Sequence, residues 1–506
     1  MNVEQLQTIL KELTPALLLF LFHPQFCAET SPGEGSVTIW WNGPSGICLS
    51  YLLSGYRPYL SPLASHPNPI LQQKLEENRH LSIVDQDLEW LSEGLEGRSS
   101  NPVAVLFDTL LLPDGDYGLG HASPLWWRLE ASQSISHLVL GTGLPGGSWH
   151  DMEGSILTLS FGSWMELPAL KMKDWVGEKR RSLRNDRVLP AEVAAYYQNF
   201  VSEMGLEKNF VNRSCVTLLR RACSASEGEE GGEHPVSQES PSLWEVQGYQ
   251  SWNDGTQTPF LIYAENVVLA TGTHDEPLWL GVQGEDLPFV YHSVSELEAA
   301  VVQGRLNEFS EPVLIVGAGL SAADAILCAH HRNVPVLHAF RSSVTDPNLI
   351  FNRLPKVLYP EYHKVHQMMS QQRVGEERTS YQGYVSLPQH RVRSFQPDHK
   401  CVLESWDRVE TRVSVSMVLV LIGTNPKLSF LRDNGAYLGL DPKLPISCRY
   451  NPVHIHPYTH ELVQESSLFA MGPLVGDNFV RFVKGGALAI TSCLVKRRKG
   501  QWFPAD

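Results

Sequence analysis

The stretch PVLIVGAGLSAADAILCAHH, residues 312–331, places small residues where a tight turn can hold an anionic group. Three of them form the pattern G-x-G-x-x-A: Gly317, Gly319 and Ala322. The apolar run Val313–Val316 predicts a buried strand before the turn, and Ser321–His330 predicts a helix after it. In such a turn the first glycine permits the bend, the second admits a diphosphate to the backbone, and the helix N-terminus stabilises its charge. The motif therefore predicts a dinucleotide-binding turn.

The charge at the end of the next strand indicates which dinucleotide would bind. The apolar run Val334–Phe340 predicts that strand, and Arg341 follows it about 20 residues beyond the motif. An acidic residue there would accept the ribose 2′-hydroxyl of NAD, whereas an arginine suits the 2′-phosphate of NADP. Arg341 therefore favours NADPH, with an exposed arginine at a strand end as the alternative.

An altered turn of the same kind lies earlier in the chain, in SVTIWWNGPSGIC, residues 36–48, and is called the first turn; the turn at Gly317 is called the second turn. Gly43 and Gly46 fit the second and third small positions, but Trp41 stands at the first. A side chain forced into a glycine-only conformation costs about 1–3 kcal/mol, and each 1.4 kcal/mol is about tenfold in affinity. We therefore expect dinucleotide binding at this turn to be weakened, and an indole in the diphosphate channel would weaken it further.

Composition is typical of a globular protein. The chain has 506 residues, of which 42% are hydrophobic and 19% charged, enough for two or three domains with a large core. The net charge of −15 argues against nucleic acid as a partner, because phosphate neutralisation needs clustered Lys and Arg. Two basic clusters, Lys179–Arg181 and Lys496–Lys499, are interpreted as a solvated helix end and a tail.

Cysteine usage and the N-terminal segment favour a cytoplasmic protein. The eight cysteines are scattered without a C-x-x-C pair, which suits reduced thiols and disfavours zinc ribbons and redox-active dithiols. The apolar run Ala16–Phe22 has seven residues, whereas a membrane span needs about 20, so no membrane span is expected. The segment before it carries Glu4, Lys11 and Glu12 rather than a positive charge, which disfavours the alternative of a signal peptide.

Strand and helix patterns alternate along most of the chain, which predicts doubly wound parallel sheets. Besides the runs above, strand patterns occur at 80–84, 137–140, 214–219, 244–249, 260–263, 267–270 and 417–422. Helices are predicted within 189–206 and from Gly485 onward. Residues 1–35 are predicted to be a poorly ordered appendage. The acidic, Ser/Gly-rich stretch 224–243 is predicted to be a disordered insertion, since it has too few apolar side chains to offset its ordering entropy.

Several long strings resemble the oxidative stress-induced growth inhibitor family: NGPSGICLSYLLSGY from residue 42, HLSIVDQDLEWLSEGLEGRSSNPVAVLFD from 80, LPKVLYPEYHKVHQMM from 354 and MGPLVGDNFVRFVKGGALA from 471. The order of the altered first turn, GGSW, ATG, GAGLSAAD and LIGTNP is also similar to flavin-containing monooxygenases. The family resemblance extends from about residue 42 to 495. Residues 1–41 depart from it, as either an alternative N-terminal exon or an error in the gene model would explain.

The resemblance implies an α/β fold with two Rossmann-type nucleotide-binding domains, of the FAD/NAD(P)-binding, flavin monooxygenase-like kind. The FAD domain would be discontinuous, with an NADPH domain inserted into it. The implied boundaries are 36–275 and 423–495 for the FAD domain, 276–422 for the NADPH domain and 496–506 for a basic tail.

The family motifs also imply which residues hold the two cofactors. The implied FAD residues are Gly43, Ser45, Gly46, Gly146, Gly147, Trp149, Gly272, Gly472, Asp477 and Asn478. The implied NADPH residues are Gly317, Gly319, Ser321, Ala322 and Arg341. A helix start at Gly485-Gly486 would lie near the isoalloxazine ring. His292 resembles the histidine of an F-x-x-H-S stretch, and a structural hydrogen bond at a domain hinge is its alternative interpretation.

The implied activity is that of an FAD- and NADPH-dependent monooxygenase acting on O2 and a small-molecule substrate. NADPH would give a hydride to the flavin, and the reduced flavin would capture O2 as a C4a-peroxide. Because the cofactor carries this chemistry, no catalytic acid–base pair is required, and the sequence offers none with suitable spacing. The family is implicated in growth inhibition, differentiation, cell death and cytokinesis, which implies protein partners and midbody association during division. Two alternatives stay open: a regulatory interaction protein on a flavoprotein scaffold, and an NADPH oxidase that leaks peroxide.

Further departures from the family pattern bear on the site. Gly141 stands at the end of the 137–140 strand, where an acidic residue for the FAD ribose is expected; Asp85 or Asp87 is the alternative. Ser160 and Ser163 occupy the neighbourhood of a catalytic Asn or substrate-side Lys in relatives. The string HIHPYTH at 454–460 lacks carboxylates and cysteines at ligand spacing, so a polar loop is favoured over a metal site.

Overall fold

The structure is a computed structural model that describes residues 36–117, 121–152, 157–176, 187–222, 243–370 and 383–500. Several sequence predictions lie outside these residues. They are the appendage 1–35 with its apolar run, the basic cluster Lys179–Arg181, the insertion 224–243 apart from Leu243, and the end of the predicted tail from residue 501.

The described chain is numbered here by strands and helices in order of sequence. The strands are β1 (Val37–Trp40), β2 (Tyr56–Leu60), β3 (Leu125–Leu129), β4 (His137–Gly141), β5 (Phe210–Asn212), β6 (Ser214–Arg221), β7 (Trp244–Ser251), β8 (Gln257–Ala264), β9 (Asn266–Leu269), β10 (Glu276–Pro277), β11 (Val290–Tyr291), β12 (Val313–Val316), β13 (Val336–Phe340), β14 (Tyr384–Pro388), β15 (His390–Gln396), β16 (Lys400–Ser405), β17 (Glu410–Ser414), β18 (Met417–Val420), β19 (Thr424–Asn425) and β20 (Leu468–Ala470). The α-helices are α1 (Pro44–Leu53), α2 (Pro69–Glu77), α3 (Leu88–Ser92), α4 (Pro102–Leu111), α5 (Gly162–Met165), α6 (Met172–Val176), α7 (Pro190–Glu203), α8 (Ser295–Val302), α9 (Leu320–His331), α10 (Ile350–Arg353), α11 (Pro360–Ser370) and α12 (Val480–Arg498).

The chain divides into two units, each built on its own parallel sheet. The first unit comprises residues up to 152, 157–273 and from 426 onward. Its sheet has the order β20-β9-β1-β4-β5, and every neighbouring pair is parallel. All four residues of the central β1 are buried, as expected for a short apolar run inside a doubly wound sheet. An antiparallel β6-β7-β8 layer and a β2-β3 pair complete this unit's strands among the described residues.

The second unit comprises residues 274–425. Its parallel sheet has the order β11-β18-β12-β13-β14, with the apolar strands β12 and β18 paired along their whole length. An antiparallel β15-β16-β17 layer and the short β10-β19 pair belong to the same unit. Two separate parallel sheets with helices between their strands confirm the predicted α/β architecture.

The prediction of a strand at 80–84 is wrong. Residues Ile83–Asp85 form a 3-10 turn, and the Ser82 hydroxyl caps it by accepting a hydrogen bond from the Val84 N–H at 3.3 Å. Ile83 and Val84 are buried in the core of the first unit, so their apolar character reflects burial rather than strand pairing.

The prediction that the last helix starts at Gly485-Gly486 is also wrong, because α12 already begins at Val480. A Cβ on Gly485 would collide with the backbone of Ala104, and one on Gly486 would lie 2.8 Å from Met471 Cβ. These glycines therefore let α12 pack closely against α4 and the end of β20. Their place in the helix interior, buried by protein, does not correspond to an isoalloxazine-facing helix start.

The beginning of the predicted basic tail is helix, since α12 continues through Arg498. Lys496 Nζ donates to the Gln86 carbonyl at 2.9 Å, and Lys499 Nζ lies 2.7 Å from Asp85 Oδ1. The run of positive charge therefore binds the C-terminal helix to the 83–87 segment. Within the described chain, none of the helices combines the length and apolar character that crossing a membrane requires.

Candidate functional site

The second turn has the backbone geometry that dinucleotide binding requires. β12 ends at Val316, and Gly317 adopts φ +130°, a region that side chains rarely enter. A Cβ at Gly317 would also collide with the carbonyl oxygen of Leu421 at the end of β18. Glycine is therefore required here both by conformation and by the close approach of the neighbouring strand.

The next glycine leaves the mouth of the second turn open. Gly319 caps α9, and a Cβ placed on it would meet no atom within 4 Å. Ser321, in the first turn of α9, is exposed, whereas Ala322 is fully buried against the sheet. An open backbone at a helix N-terminus can accept a phosphate, because its N–H groups and the helix dipole both favour negative charge.

Arg341 lies at the same edge of the sheet as this turn. β12 and β13 are parallel, with Val316 opposite Ala339, so both strands end at the carboxyl edge. Arg341 directly follows β13 and is exposed. The structure thus brings the predicted NADPH residues to one edge of one sheet: Gly317, Gly319, Ser321, Ala322 and Arg341.

A buried histidine that the sequence reasoning missed supports the second turn. His338 on β13 is fully buried, and its Nε2 lies 2.6 Å from the carbonyl oxygen of Gly317. Its Nδ1 lies 2.7 Å from the hydroxyl of Tyr384 on β14. Burial lowers the pKa of His338 to about 4, so the ring is neutral at physiological pH. The only signal in the sequence was a histidine within an apolar strand run.

The first turn repeats the backbone path with a tryptophan in place of the first glycine. Trp41 follows β1 and adopts φ +103°, close to the value at Gly317. A Cβ on Gly46 would collide with the Trp41 carbonyl oxygen, so Gly46 is needed for the close approach of α1 to the strand end. α1 begins at Pro44 with Gly43 as its N-cap. The chain therefore forms a dinucleotide-type turn despite the substitution.

Unlike the second turn, the first turn is covered by protein. A Cβ on Gly147 would lie 3.0 Å from Gly43 Cα and 3.0 Å from Trp41 Nε1, so this segment packs directly on the turn. The Gly146 N–H donates to the Asn42 carbonyl at 2.8 Å, which fixes the segment there. Gly146 and Gly147 both have positive φ, at +127° and +58°. Gly43, Ser45 and Gly46 are all buried.

The space left beside the first turn is small. A cavity of about 180 Å³ remains, lined by Trp41, Thr142, Gly143, Gly147, His150 and Asp151. Ligand pockets for cofactor-sized molecules have volumes of roughly 300–1,000 Å³. A diphosphate on the Gly43 amide would need the space that Gly147 and the Trp41 indole fill. As arranged here, the residues of the first turn do not fit FAD.

The end of β4 explains why no acidic residue is present for a flavin ribose. A Cβ on Gly141 would collide with the side-chain amide of Asn42. That amide donates to the Gly143 carbonyl at 2.8 Å, and its oxygen is buried with no hydrogen-bond partner among the described residues. Any side chain at 141 would displace Asn42.

The alternative ribose ligands, Asp85 and Asp87, are engaged elsewhere. Asp85 pairs with Lys499, and Asp87 caps α3 by accepting from the N–H groups of Glu89 and Trp90. Neither carboxylate follows a strand of the parallel sheet, so the structure does not place either of them at a strand's carboxyl edge.

The C-terminal residues predicted at the flavin lie in the segment that begins at Gly472, directly after β20. Gly472 has φ +71°, and a Cβ there would approach Ser45 Oγ to 2.6 Å, so this turn packs on the start of α1. The Asp477 carboxylate is buried and accepts from Ser99 Oγ at 2.5 Å and Asn101 Nδ2 at 2.8 Å. Burial raises the pKa of Asp477 to about 7. Asn478 is exposed and donates to the Gly476 carbonyl.

Two further residues predicted at the flavin, Gly272 and Trp149, lie in the first unit. Gly272 follows β9 with φ +72°, and a Cβ there would meet nothing within 4 Å. The Trp149 ring packs near Tyr197, with ring centroids 6.5 Å apart. Ser160 is buried next to Thr158, whose hydroxyl donates to its carbonyl.

Two histidines singled out by sequence have structural environments. His292 Nε2 lies 3.2 Å from Glu285 Oε1, and the tilted Trp279 ring packs against the histidine with ring centroids 4.3 Å apart. Glu285 also accepts from the N–H groups of Leu280 and Gly281 at 2.8 Å. In the HIHPYTH string, His460 is fully buried with its Nδ1 3.1 Å from the Ala470 carbonyl, and burial lowers its pKa to about 4.

A buried charged cluster on α12 also escaped the sequence reasoning. Arg481 binds both oxygens of Asp108 on α4, at 2.8 and 2.5 Å, and Asp116 at 2.9 Å. Lys484, one turn later, is buried, and burial lowers its pKa. Its Nζ donates to the Glu166 carbonyl at 3.1 Å. The cluster joins α12, α4 and the segment after α5 within the first unit.

Comparison with known proteins shows that this fold resembles those of flavoprotein reductases and monooxygenases. The sequence profile of the pyridine nucleotide-disulphide oxidoreductases matches residues 256–438. The fold is similar to bacillithiol disulfide reductase from Bacillus cereus, with a TM-score of 0.55 and 15% identity over 91% of this chain and 99% of that one. It is also similar to a variant of the flavin monooxygenase from Stenotrophomonas maltophilia, with a TM-score of 0.50 and 14% identity over 92% and 98%. These likenesses confirm the predicted α/β fold with two Rossmann-type units, the fold shared by FAD/NAD(P)-binding reductases and monooxygenases.

Sequence relatives are much closer than the structural ones. Human oxidative stress-induced growth inhibitor 2 is 57% identical over 485 residues, covering 93% of this chain and 96% of the relative. Human oxidative stress-induced growth inhibitor 1 is 52% identical, covering 91% and 95%. A homologue from Caenorhabditis elegans is 28% identical, covering 91% and 94%. With identity of this extent over nearly the whole length, the chain belongs to the oxidative stress-induced growth inhibitor family.

Proposed function

We propose that this chain binds NADPH through its second unit and acts in growth control as a nucleotide-dependent regulatory protein on a flavoprotein scaffold. The observation that carries the proposal is the open turn at Gly319, whose backbone a phosphate can approach, next to Arg341 at the same sheet edge. The names of the relatives, oxidative stress-induced growth inhibitors, support the biological part of the proposal. Cytoplasmic action, with protein partners and a presence at the midbody during division, follows from the same resemblance.

The proposal assigns the two units different roles. Residues 276–422 would be the NADPH domain, with Gly317, Gly319, Ser321 and Ala322 at the diphosphate and Arg341 at the 2′-phosphate. The discontinuous unit, 36–275 with 423–495, would be the flavin-type domain whose first turn is closed by Trp41.

Nucleotide titration tests the proposal directly. Purified full-length protein should bind NADPH more tightly than NADH, because the Arg341 guanidinium can pair with the 2′-phosphate. Arg341→Ala should weaken NADPH binding about tenfold, the equivalent of about 1.4 kcal/mol, and leave NADH binding unchanged. Arg332→Ala, an exposed arginine at the other end of α9, is the matched control and should change neither. Absence of NADPH binding by the unaltered protein would refute the proposal.

The second candidate function is an FAD- and NADPH-dependent monooxygenase that acts on O2 and a small molecule. It is favoured by the likeness to a flavin monooxygenase and by framework glycines that persist around the first turn, such as Gly46 and Gly472. It requires the Trp41 indole and the Gly147 segment to leave the diphosphate position. Flavin content separates the two candidates: one flavin per chain in protein purified without added cofactor favours the monooxygenase, and a colourless preparation favours the regulatory protein.

A further inference from the structure

We propose that His338 and Tyr384 are positioning residues for the dinucleotide, because together they fix the direction of the Gly317–Ala318 peptide at the mouth of the second turn. The inference rests on the proposed NADPH binding and deepens it. It names two residues behind the turn, on two neighbouring strands, that sequence motifs for nucleotide binding do not contain.

The pairing of three parallel strands brings these groups together. Ile315 of β12 lies opposite His338 of β13, and Val336 of β13 lies opposite Tyr384 of β14. Residues 336 and 338 are two apart in β13 and therefore lie on the same face of the sheet, so the Tyr384 hydroxyl can reach the His338 ring. The ring then reaches one residue beyond the end of β12, to the Gly317 carbonyl.

The hydrogen bonds determine the tautomer of His338. A carbonyl oxygen can only accept, so the Nε2 that lies 2.6 Å from the Gly317 oxygen must carry the proton. In a neutral ring Nδ1 is then an acceptor, and the Tyr384 hydroxyl at 2.7 Å donates to it. The chain Tyr384 to His338 to Gly317 is therefore directional, and each member fixes the orientation of the next.

The direction of the Gly317 carbonyl determines the direction of the Ala318 N–H. In a planar trans peptide the carbonyl of Gly317 and the N–H of Ala318 point in opposite directions. Fixing the carbonyl toward the buried ring therefore aims the Ala318 N–H away from it, toward the open side of the turn. Because glycine tolerates several conformations, Gly317 alone would not keep that peptide in one orientation.

Full-length variants test the inference with two ligands. His338→Leu removes the donor and should weaken NADPH binding about tenfold, whereas Tyr384→Phe, which only frees the tautomer, should weaken it about threefold. His338→Gln keeps a donor and should retain affinity closer to that of the unaltered protein. Adenosine 2′-monophosphate lacks the diphosphate, so its affinity should stay within about twofold in all three variants. Arg341→Ala should instead weaken both ligands.

A readout without nucleotide accompanies the titration. Amide hydrogen exchange in residues 313–322 should speed up in His338→Leu and Tyr384→Phe, while exchange in the β15-β16-β17 layer stays unchanged. A purely structural role would lower the unfolding free energy and leave the NADPH affinity of the folded protein as it was. If the unaltered chain binds NADPH and Tyr384→Phe and His338→Gln bind it equally tightly with unchanged exchange, the positioning role is refuted and the proposed function stands. If the unaltered chain binds no NADPH, the proposed function fails. Unchanged exchange at 313–322 in His338→Leu and Tyr384→Phe would then also refute the claim that these residues fix the Gly317–Ala318 peptide.

Discussion

The two glycine turns of this molecule follow nearly the same backbone path and have opposite accessibility. Trp41 and Gly317 occupy the same motif position with φ of +103° and +130°. Beyond them, Gly319 faces open space, whereas Gly43 is covered by Gly147 and the Trp41 indole. Strand–turn–helix geometry alone therefore does not make a ligand site, because the residues that lie over the second glycine decide whether a diphosphate can enter.

The first turn tolerates a tryptophan at residue 41 because Trp40 and Trp41 both pack on the surrounding hydrophobic core. Trp40 is buried, with its ring centroid 3.5 Å from that of Phe430, and Trp41 packs on the same hydrophobic cluster. A left-handed conformation at a non-glycine residue costs about 1–3 kcal/mol, while burying a large side chain contributes a similar amount. The strain at Trp41 is therefore offset by packing in the folded protein.

The largest effect is expected from adding a methyl group at the framework glycine of the second turn. Gly317→Ala introduces both an unfavourable φ and a collision with the Leu421 carbonyl, which together should destabilise the protein by on the order of 4 kcal/mol. Gly319→Ala meets no atom, so it should keep the unfolding free energy and weaken NADPH binding alone. Denaturant unfolding and NADPH titration of both variants check the contrast. Equal stability of Gly317→Ala and the unaltered chain would show that the second turn does not require glycine at residue 317.

A pH effect of similar size is expected at Asp477, in the Gly472 segment that packs on the start of α1. The buried Asp477 has a pKa of about 7, against 3.8 for an ordinary aspartate. Between these values the folded state holds a proton that the unfolded state has released, so its contribution to stability is full below about pH 4 and lost as the pH rises through about 7. At about 1.4 kcal/mol for each pH unit between about 4 and 7, the loss is on the order of 4 kcal/mol.

Calorimetric melting across this pH range tests the Asp477 effect. Asp477→Asn should flatten the pH dependence and melt above the unaltered protein near pH 8. Asp433→Asn, at an exposed carboxylate of the same unit, is the control and should leave the profile unchanged. If added FAD removed the pH dependence, Asp477 would face a ligand rather than Ser99 and Asn101, and the first turn would not be closed.

The smallest effect is expected from reopening the first turn. Trp41→Gly relieves the strained φ and empties the space beside Gly43, so FAD affinity should rise about tenfold. Trp40→Phe, on the buried strand end next to it, should not raise it. Flavin retained during gel filtration measures the change. FAD held equally well by the unaltered chain and Trp41→Gly would show that the indole does not control entry.

The fold could be predicted from sequence because its strands are short apolar runs in a regular alternation with helices. The second turn was predicted for the same reason, since Gly317, Gly319 and Ala322 lie next to each other in the chain. The strand prediction at 80–84 failed because buried apolar residues look alike in a strand and in a capped 3-10 turn. Gly485 and Gly486 were misplaced because a glycine pair signals either a helix boundary or a close helix contact, and only Ala104 decides which.

Other parts of the site depend on contacts between distant segments. The cover on Gly43 comes from Gly147, about a hundred residues away, and the absence of an acid at 141 follows from the Asn42 amide. His338 gains its role from a glycine on one strand and a tyrosine on another. Pairings of this kind leave no local pattern in the chain, so sequence spacing could not reveal them.

The Asn42 amide wedged against Gly141 has a consequence for how this protein could be redesigned or could have evolved. Removing the Trp41 side chain would clear only part of the diphosphate position, because the Gly147 segment also covers Gly43, and the Asn42 amide would still exclude a side chain at residue 141. A variant that held a flavin tightly would need changes at both Trp41 and Asn42. Substituting Asn42 alone would leave only an empty cavity beside residue 141. No single substitution would therefore open this turn to a flavin.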